Sequence, residues 1–354
     1  MSNERNCNDS SLPRGISRRD FLKIAAAAGL LAGCSPIQQP DALSKVEEPT
    51  SAPTATPVPT SPPQPLKKVP GRVVRARHAG VWEGDRLATD ALRQMLDASI
   101  ARLTGIENAG TAWAALFDPG EQIAIKVNTI QTSDYWTHVP LVLAVTECLQ
   151  DAGVPAEKII IFDRATAELR GANYPINQDG PGVRCYGTDG NYTAGWTIVD
   201  TDIMLSDILL NCDALINIPV LKAHDLSGFT FAMKNHYGTF NKPQNFHRQV
   251  PRAIAELNAL QPIRDRTRLI IGDALTACTL GWHSAVLGDS ILASFDPVAH
   301  DLVGLQVLSQ AMASNGVDPI SAKSMGYRCL EQGAELGLGI NEPDSIQWLE
   351  MNLG

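Results

Sequence analysis

Short apolar runs alternate with segments of helical periodicity along residues 71–354. Each run is apolar at consecutive positions, which is typical of a strand buried on both faces. The runs predict strands over Val73–Arg77, Gln122–Val127, Lys158–Phe162, Ala214–Val220, Arg268–Gly272 and Ser290–Ser294. Because helical segments such as Leu87–Leu103 and Pro140–Asp151 separate the runs, the pattern predicts an α/β fold. We expect a single three-layer domain with a mainly parallel sheet.

The stretch from Tyr174 to Trp196 departs from this alternation. It is rich in Gly, Asn and Asp, which predicts a surface excursion with a small hairpin. Loops of this length often carry function, but the composition suits a structural decoration equally well. Residues 71–354 contain no internal repeat and no second linker, so we expect no further domain there.

The region before this domain has a different composition. Residues 34–70 are rich in Pro, Thr, Ser and Ala, with prolines at Pro57, Pro59, Pro62 and Pro63. Such a segment has few apolar side chains to bury and no hydrophobic period. It therefore predicts a disordered, partly polyproline tether that holds the domain away from its point of attachment.

Residues 1–33 resemble a signal peptide. The pair Arg18-Arg19 before Phe-Leu-Lys resembles the signal of the twin-arginine machinery, which exports folded proteins. The apolar run Ile24–Leu31 is far shorter than the ~20 residues of a membrane-spanning helix. It ends in Leu-Ala-Gly-Cys, which resembles a lipobox. We therefore expect lipoprotein-processing enzymes to act at Cys34, and its lipid to tether the protein on the extracytoplasmic side of a membrane whose identity stays open.

Charge and cysteine content exclude several kinds of partner. The chain has a formal net charge of −9 and no basic run, so nucleic acid is not an expected partner. The five cysteines after Cys34 form no Cys-x-x-Cys pair, so an iron–sulfur cluster or a thiolate zinc site is not expected. Their apolar surroundings predict that Cys148 and Cys212 are buried free thiols.

Polar side chains follow most of the predicted strands. In a parallel sheet the ligand site lies outside the carboxyl ends of the strands, which meet at one edge. The residues at these ends are Lys126, Asn128, Asp163, Lys222, His224, Asp273 and Asp296. We expect one shared cleft, although Asp296 precedes Pro297 at a helix start and is better explained as a helix cap.

The segment between Lys222 and Gly238 contains the highest density of potentially reactive side chains. Together with Lys126, the lysines of this segment are expected to bind a carboxylate or phosphate, and a lysine crowded by other cations suits a base or nucleophile. The histidines either move protons or ligate a metal. Catalytic roles are assigned to Lys222, His224, Lys234 and His236. Cofactor binding is assigned to Lys126, Asn128, Asn235, Asp163 and Asp273. The candidate metal ligands are His224, His236 and Asp296.

Two residues before the helix at Pro140 leave alternatives open. Thr137-His138 either lines the same cleft or caps the helix through Thr137. The other notable aromatic and imidazole side chains are expected to be structural. They are Trp82, Trp113, Trp136, His247 and His283.

Four sequence blocks resemble the signature blocks of the prokaryotic family called domain of unknown function 362. They are Ile125–Asn128, Ile216–His224, Met233–Asn235 with Gly238, and Ser294–Asp301. Their order and spacing agree with that family over roughly residues 120–310. The resemblance implies a fold and a site but no reaction. Many relatives carry a ferredoxin-like module with two four-cysteine iron–sulfur motifs, which this chain lacks, so the resemblance does not imply electron transfer within the polypeptide.

Two functions of different classes stay open at this point. One is an enzyme, redox- or metal-dependent, that acts on an anionic small molecule in the lysine–histidine cleft, with Asp301 nearby. Its cofactor, a metal ion or an organic molecule, would be loaded before export. The alternative is a non-catalytic lipoprotein that captures an anionic solute and passes it to a transporter. A purely structural or adhesive lipoprotein would leave the charged cluster unexplained.

Overall fold

The computed structural model describes residues 66, 68–130, 135–225, 227–279 and 285–354. Several sequence predictions lie outside these residues: the signal peptide 1–33 with Arg18 and Arg19, the lipidation site Cys34, His283 and most of the tether. Within the described part of the chain, no helix combines the length and apolar character needed to cross a bilayer.

A mixed sheet of ten strands lies at the centre of the described residues. In chain order the strands of the protein are β1 (Arg72–His78), β2 (Trp82–Glu83), β3 (Arg86–Leu87), β4 (Ile123–Lys126), β5 (Ile159–Phe162), β6 (Arg184–Cys185), β7 (Tyr192–Ile198), β8 (Thr201–Ser206), β9 (Ala214–Asn217), β10 (Val220–His224), β11 (Gly228–Thr230), β12 (Thr267–Cys278), β13 (Ala285–Ser294) and β14 (Gln347–Leu353). The main sheet has the order β14–β1–β13–β12–β9–β4–β5–β6, and β10 and β11 extend it beside β12. The pairs β2–β3 and β7–β8 form separate ribbons.

Most neighbouring strands of the main sheet are parallel, as predicted. β4 pairs in parallel with β5 and β9, and β9 pairs in parallel with β12. β13 differs, because it runs antiparallel to both β1 and β12. Its last residue, Ser294, pairs with Val73 and Ile270 near the starts of those strands. The predicted strand Ser290–Ser294 is therefore present, but it ends at the edge of the sheet opposite to the carboxyl ends of β4, β5 and β9.

Helices cover both faces of the sheet. They are α1 (Thr89–Thr104), α2 (Ala109–Ala114), α3 (Val139–Asp151), α4 (Thr166–Gly171), α5 (Asp207–Asn211), α6 (Ala232–Asn235), α7 (Val250–Ala259), α8 (Gln261–Arg266), α9 (Pro297–Ser314) and α10 (Met325–Glu335). Alternate residues of β4 belong to different cores: Ile123 and Ile125 pack with α1–α3, whereas Ala124 packs with α5 and α7. A third cluster surrounds α9 and α10. Successive strand residues point to opposite faces, so the helices form two layers and the three-layer prediction is confirmed.

The predicted strand Ala214–Val220 is interrupted at one proline. β9 ends at Asn217, and β10 begins at Val220 after Ile218 and Pro219. Proline has no N–H to donate to a ladder, and the Pro219 carbonyl instead accepts the N–H of Asp273 at 2.8 Å. After this break, β10 pairs with the distal half of β12. The chain from Lys222 onward is thus carried past the carboxyl edge of the central strands.

The predicted surface excursion contains the expected hairpin. β7 and β8 pair antiparallel through Tyr192–Ile198 and Thr201–Ser206, so the hairpin extends beyond Trp196. Earlier in the same stretch, β6 joins the edge of the main sheet beside β5.

The described cysteines are buried and none forms a disulfide, as predicted for Cys148 and Cys212. Burial raises the pKa of both thiols to about 12. At neutral pH these side chains are uncharged and behave as small apolar groups.

Candidate active site

A cleft lies at the carboxyl edge of β4 and β5, next to β10 and α6. The cleft is open to solvent. The predicted site residues that line it are Lys126, Asn128, Asp163, Lys222, Lys234 and Asn235. Other lining residues that sequence reasoning missed are Ile130, Arg164, Glu168, Thr230, Tyr237 and Gly238. Thr230, Tyr237 and Gly238 lie in the predicted segment between Lys222 and Gly238, whereas Ile130, Arg164 and Glu168 belong to no predicted motif.

The floor of the cleft is a buried ion pair. Lys126 Nζ lies 2.7 Å from Asp163 Oδ1, and both side chains are almost fully buried. The ammonium also donates to the Val127 carbonyl, and Asp163 Oδ2 accepts the N–H and the hydroxyl of Thr129. Because the polar atoms of a buried pair must be satisfied locally, these contacts fix Lys126 and Asp163 as the base of the site.

Gly238 packs directly on this pair. A Cβ at position 238 would lie 2.5 Å from Asp163 Oδ1 and 2.7 Å from Lys126 Nζ. Real contacts of that kind are not this short, so any larger residue would displace the buried charges. The absence of a side chain at this position is thus a requirement of the ion pair beside it.

Lys222 brings a second buried cation to the cleft. Its Nζ donates to Asn128 Oδ1 at 2.9 Å, and only 2% of the residue is exposed. Burial lowers the pKa of Lys222 to about 8, although the carboxylates of Asp163 and Asp273 act in the opposite direction.

Lys234 provides a third cation, held by hydroxyl groups. Its Nζ donates to Ser227 Oγ at 2.9 Å and to Thr230 Oγ1 at 3.3 Å. Burial, together with the nearby charge of Lys222, lowers the pKa of Lys234 to about 7. Lys222 and Lys234 therefore both exchange protons close to neutral pH, which is unusual for lysine and suits acid–base or nucleophilic chemistry.

The short helix α6 that carries Lys234 and Asn235 is fixed by distant side chains. Asp301 of α9 accepts the N–H groups of Ala232 and Met233 at 2.8 and 2.9 Å. On the sheet side, Asn217 Nδ2 donates to the Ala232 carbonyl at 2.9 Å. Asp301, predicted near the site, thus positions the helix and does not line the cleft.

The two predicted catalytic histidines lie beside the cleft rather than among its lining residues. Burial, with the charge of Lys126, lowers the pKa of His236 to about 3, and its Nε2 lies 3.4 Å from Asn217 Nδ2. His236 faces a different cavity, which it lines with Asn258 and Phe295. His224 accepts the Ser227 N–H at 3.2 Å, and burial with the charge of Lys234 also lowers its pKa to about 3. Both imidazoles are therefore neutral at neutral pH.

The three candidate metal ligands do not come together. Among the described residues, which include His224, His236 and Asp296, no group of three histidine, cysteine or carboxylate side chains is placed to hold a metal ion. Asp296 lies after β13 at the opposite edge of the sheet and accepts backbone N–H groups from Gly71, Val298, Ala299 and Ile340. It caps α9, so its alternative role as a helix cap is the correct one.

Asp273 lies under a histidine at the start of α3. Its Oδ2 is 2.8 Å from both the backbone N and the ring Nδ1 of His138. Burial alone would lower the pKa of His138, but the charge and hydrogen bond of Asp273 outweigh it and raise the pKa above 6.5. Thr137 does not cap the helix, because its hydroxyl donates to the Ile218 carbonyl and accepts the Asn128 N–H.

A three-layer α/β domain with a cationic cleft at the carboxyl edge of its parallel strands defines the general class of this protein. The sequence profile described as "Domain of unknown function (DUF362)" matches residues 123–306, more than half of the chain. The chain belongs to this family. The match includes β4, β9, β10, α6 and all the lining residues of the cleft, but not β1 or β14.

The N-terminus matches a second profile, described as "TAT (twin-arginine translocation) pathway signal sequence", over residues 15–33. This match includes Arg18 and Arg19. The predicted use of the twin-arginine machinery is thereby confirmed, and the protein is exported across a membrane.

No curated protein matches this chain. Among solved structures, the lactate racemase apoprotein from Thermoanaerobacterium thermosaccharolyticum is similar, with 10% identity and a TM-score of 0.40, over 67% of this chain and 57% of that chain. A protein from Thermotoga maritima is similar with 12% identity and a TM-score of 0.34, over 54% of this chain and 51% of that chain. The matched region thus spans little more than half of either structure.

Proposed function

We propose that this protein is an exported, lipid-anchored enzyme that binds an anionic small molecule in the cleft of Lys222 and Lys234. The observation that carries the proposal is the pair of buried lysines in one cleft. Lys222 donates to an amide oxygen and Lys234 to two hydroxyl groups. A carboxylate or phosphate that replaced or joined these neutral partners would meet two ammonium groups in surroundings of low dielectric constant, where charge-assisted hydrogen bonds are strong.

The lowered pKa values support an enzyme over a passive binding protein. A lysine whose pKa lies near neutrality can take up and release a proton during turnover, and Lys234 and Lys222 titrate at about 7 and 8. General acid–base groups work best when their pKa lies near the working pH. Lys234 is our candidate base or nucleophile, and Lys222 with Asn128 is our candidate for orienting the anion.

The remaining site predictions complete the proposal. Lys126, Asp163 and Asn235 form the polar floor on which the ligand or a cofactor would rest, and the neutral His236 and His224 support the walls. The nature of a cofactor stays open between a metal ion and an organic molecule. Twin-arginine export of a folded chain would allow it to be loaded in the cytoplasm.

The membrane attachment rests on Cys34 and the residues before it. Leu-Ala-Gly forms the end of the matched export signal and Cys34 follows it directly, so cleavage there would leave a lipidated cysteine at the start of the tether. Labelling of cells with a radioactive fatty acid would show incorporation into the wild-type chain. The Cys34→Ala variant would be exported without label and released from the membrane, and equal labelling of the two chains would reject the lipid anchor.

Anion binding is tested by calorimetry with sulfate and malonate, which represent phosphate-like and carboxylate-like ligands. Wild-type protein is expected to bind at least one of them, and Lys234→Met and Lys222→Met are expected to lose binding while their Tm stays close to wild type. Lys323→Met, which removes an exposed lysine, serves as the matched control. Absence of binding to both anions, or equal binding by all variants, would overturn the proposed site.

Catalysis is tested by incubating the protein with an extracytoplasmic extract and following anionic metabolites by mass spectrometry. An enzyme consumes many equivalents of a metabolite and forms a product, and Lys234→Met does not. Depletion of only one equivalent per protein, without product, would instead support the solute-binding lipoprotein. Mass spectrometry of native protein from the cytoplasm and from the exported fraction would identify a metal or organic cofactor loaded before export.

A further inference from the structure

His138 and Asp273 form a hydrogen-bonded dyad that the lysine cleft does not explain. Asp273 is fully buried on β12, and 20% of the His138 side chain is exposed at the start of α3. The carboxylate accepts from the ring Nδ1 and from the backbone N–H of His138, each at 2.8 Å. Its other oxygen accepts the N–H of Leu275 at 3.1 Å. The carboxylate is therefore held in place by the backbone on two sides.

This arrangement selects one form of the imidazole ring. A carboxylate next to Nδ1 keeps the proton on that nitrogen, because only the Nδ1–H form can donate to it. The Nε2 atom then carries the lone pair of the neutral ring. The edge-on contact with Trp82, at 5.7 Å between ring centres, further restricts the ring. His138 is thus a base of defined orientation rather than a freely rotating surface histidine.

The dyad adjoins the lysine cleft through two connections. Thr137, the residue before His138, exchanges hydrogen bonds with Asn128, whose side chain accepts from Lys222. On the other side, Asp273 pairs with Val220 in the strand that carries Lys222 two residues later. The charge of Asp273 also acts directly on Lys222. Lys222 is therefore connected to the dyad through Asn128 and Thr137 and through the pairing of β10 with β12.

We propose that His138, oriented by Asp273, is a proton-transfer residue for the anion that Lys222 and Lys234 bind. The proposal rests on the proposed function. In the forward step the Nε2 lone pair takes a proton from an O–H, N–H or C–H bond of the ligand, and the electron pair of that bond stays on the ligand. The imidazolium keeps its Nδ1–H bond to Asp273 and later returns the Nε2 proton to product or water. The substrate class is thus an anion that also carries an ionisable hydrogen.

A structural role for the same residues makes a different prediction. Asp273 caps the first turn of α3 through the His138 N–H, and this bond would persist without an imidazole. His138→Asn keeps an N–H donor near the position of Nδ1 but has no atom that titrates near neutrality. If the dyad is only structural, this variant would behave as wild type in every assay.

The orientation of His138 is tested by chemical modification with diethyl pyrocarbonate, which reacts with neutral imidazole. Peptide mass spectrometry then measures the modification of each histidine separately. The rate at His138 is expected to fall in acid with a midpoint above 6.5, and Asp273→Asn is expected to lower that midpoint. Exposed His247 is the internal reference in the same sample. A His138 midpoint that does not move in Asp273→Asn would overturn the proposal.

The proximity of His138 to the bound anion is tested by adding the anion that calorimetry shows to bind, sulfate or malonate. The anion is expected to slow modification of His138 but not of His247, and Lys234→Met is expected to abolish the protection. Binding without protection would overturn the role of His138 and leave the proposed function intact. Binding of neither anion would overturn the proposed function and this inference with it.

The rate of turnover distinguishes proton transfer by His138 from a purely structural role. In the extract assay, His138→Asn is expected to retain anion binding and lose at least 100-fold in metabolite consumption, which is the lower end of the usual contribution of a general base. Consumption at the wild-type rate by His138→Asn would reject proton transfer by this residue.

Discussion

The carboxylate of Asp301 holds the backbone N–H of Met233 at 2.9 Å. It also holds the N–H of Ala232 at 2.8 Å, and the His300 ring that lies against it stacks on Phe231 at 4.4 Å between ring centres. Two sequence blocks that lie far apart in the chain are thus joined at the first turn of α6. The position of Lys234 in the cleft depends on a residue that is not itself in the cleft.

Replacement of Asp301 tests this dependence. Asp301→Ala leaves two buried N–H groups without an acceptor, and each unsatisfied group costs about 1–3 kcal/mol. We expect a lower free energy of unfolding in urea and weaker sulfate or malonate binding. Asp301→Asn retains one acceptor oxygen and should lie between Ala and wild type. If both variants bind the anion as wild type does, α6 is positioned by other contacts.

Gly238→Ala tests the packing of glycine on the buried ion pair. The new Cβ would lie within 2.7 Å of both Lys126 Nζ and Asp163 Oδ1, so the charges must move apart. Overpacking of this kind costs about 1–3 kcal/mol, measurable as a lower urea midpoint. Gly110→Ala in α2 is the matched control, since its Cβ would make an ordinary contact at 3.5 Å. Equal stability of the two variants would contradict the tight packing at Gly238.

Anion affinity is expected to fall as the pH rises through about 7 to 8. The ordinary lysine pKa is 10.5, and burial lowers it to about 7 for Lys234 and about 8 for Lys222. An anion binds the protonated lysines, so deprotonation in this window removes the attraction. Sulfate keeps its charge throughout, which makes calorimetry between about pH 6 and pH 9 a direct measurement. Affinity that stays constant to the upper limit would show that the lysines titrate normally.

The neutral His236 predicts sensitivity to acid. Its pKa is about 3 in the folded protein, against 6.5 for an ordinary histidine. Between these values the unfolded chain binds more protons, so the stability that a neutral His236 provides is present above pH 6.5 and is lost as the pH falls toward 3.

The matching measurement is the free energy of unfolding as a function of pH. His236→Gln should lose less stability than wild type as the pH falls through this window, whereas His247→Gln, at an exposed position, should follow the wild-type curve. If wild type and His236→Gln lost the same free energy of unfolding at low pH, the folded protein would not lower the pKa of His236.

The cleft residues that could be predicted from the sequence are those that end or directly follow short parallel strands. Lys126 and Asp163 end or follow neighbouring strands, and the parallel pairing of β4 with β5 brings them to one edge. Asp296 also follows an apolar strand, but it lies at the opposite edge of the sheet. The sequence does not predict this, because an apolar run does not reveal the direction of its strand. The reversed direction of β13 depends on its pairing with β1 and β12.

The His138–Asp273 dyad shows a second limit of the sequence. The apolar run predicts a strand that ends at Gly272, which places Asp273 at a strand end in the shared cleft. β12 in fact continues to Cys278, because β10 and β13 pair with its distal half. Asp273 is therefore buried inside the sheet, where one oxygen is satisfied locally by the Leu275 N–H and the other by the distant His138.

The contact between Asp301 and α6 has a consequence for the order of events in the cell. The binding site requires that α9, close to the end of the matched region, has already docked against residues that were synthesised much earlier. A ligand that needs Lys234 in place would bind the completed fold and not a partly made chain, and such selective binding stabilises the folded state by mass action. For a protein exported through the twin-arginine route, which carries folded proteins, that completed fold is formed before transport.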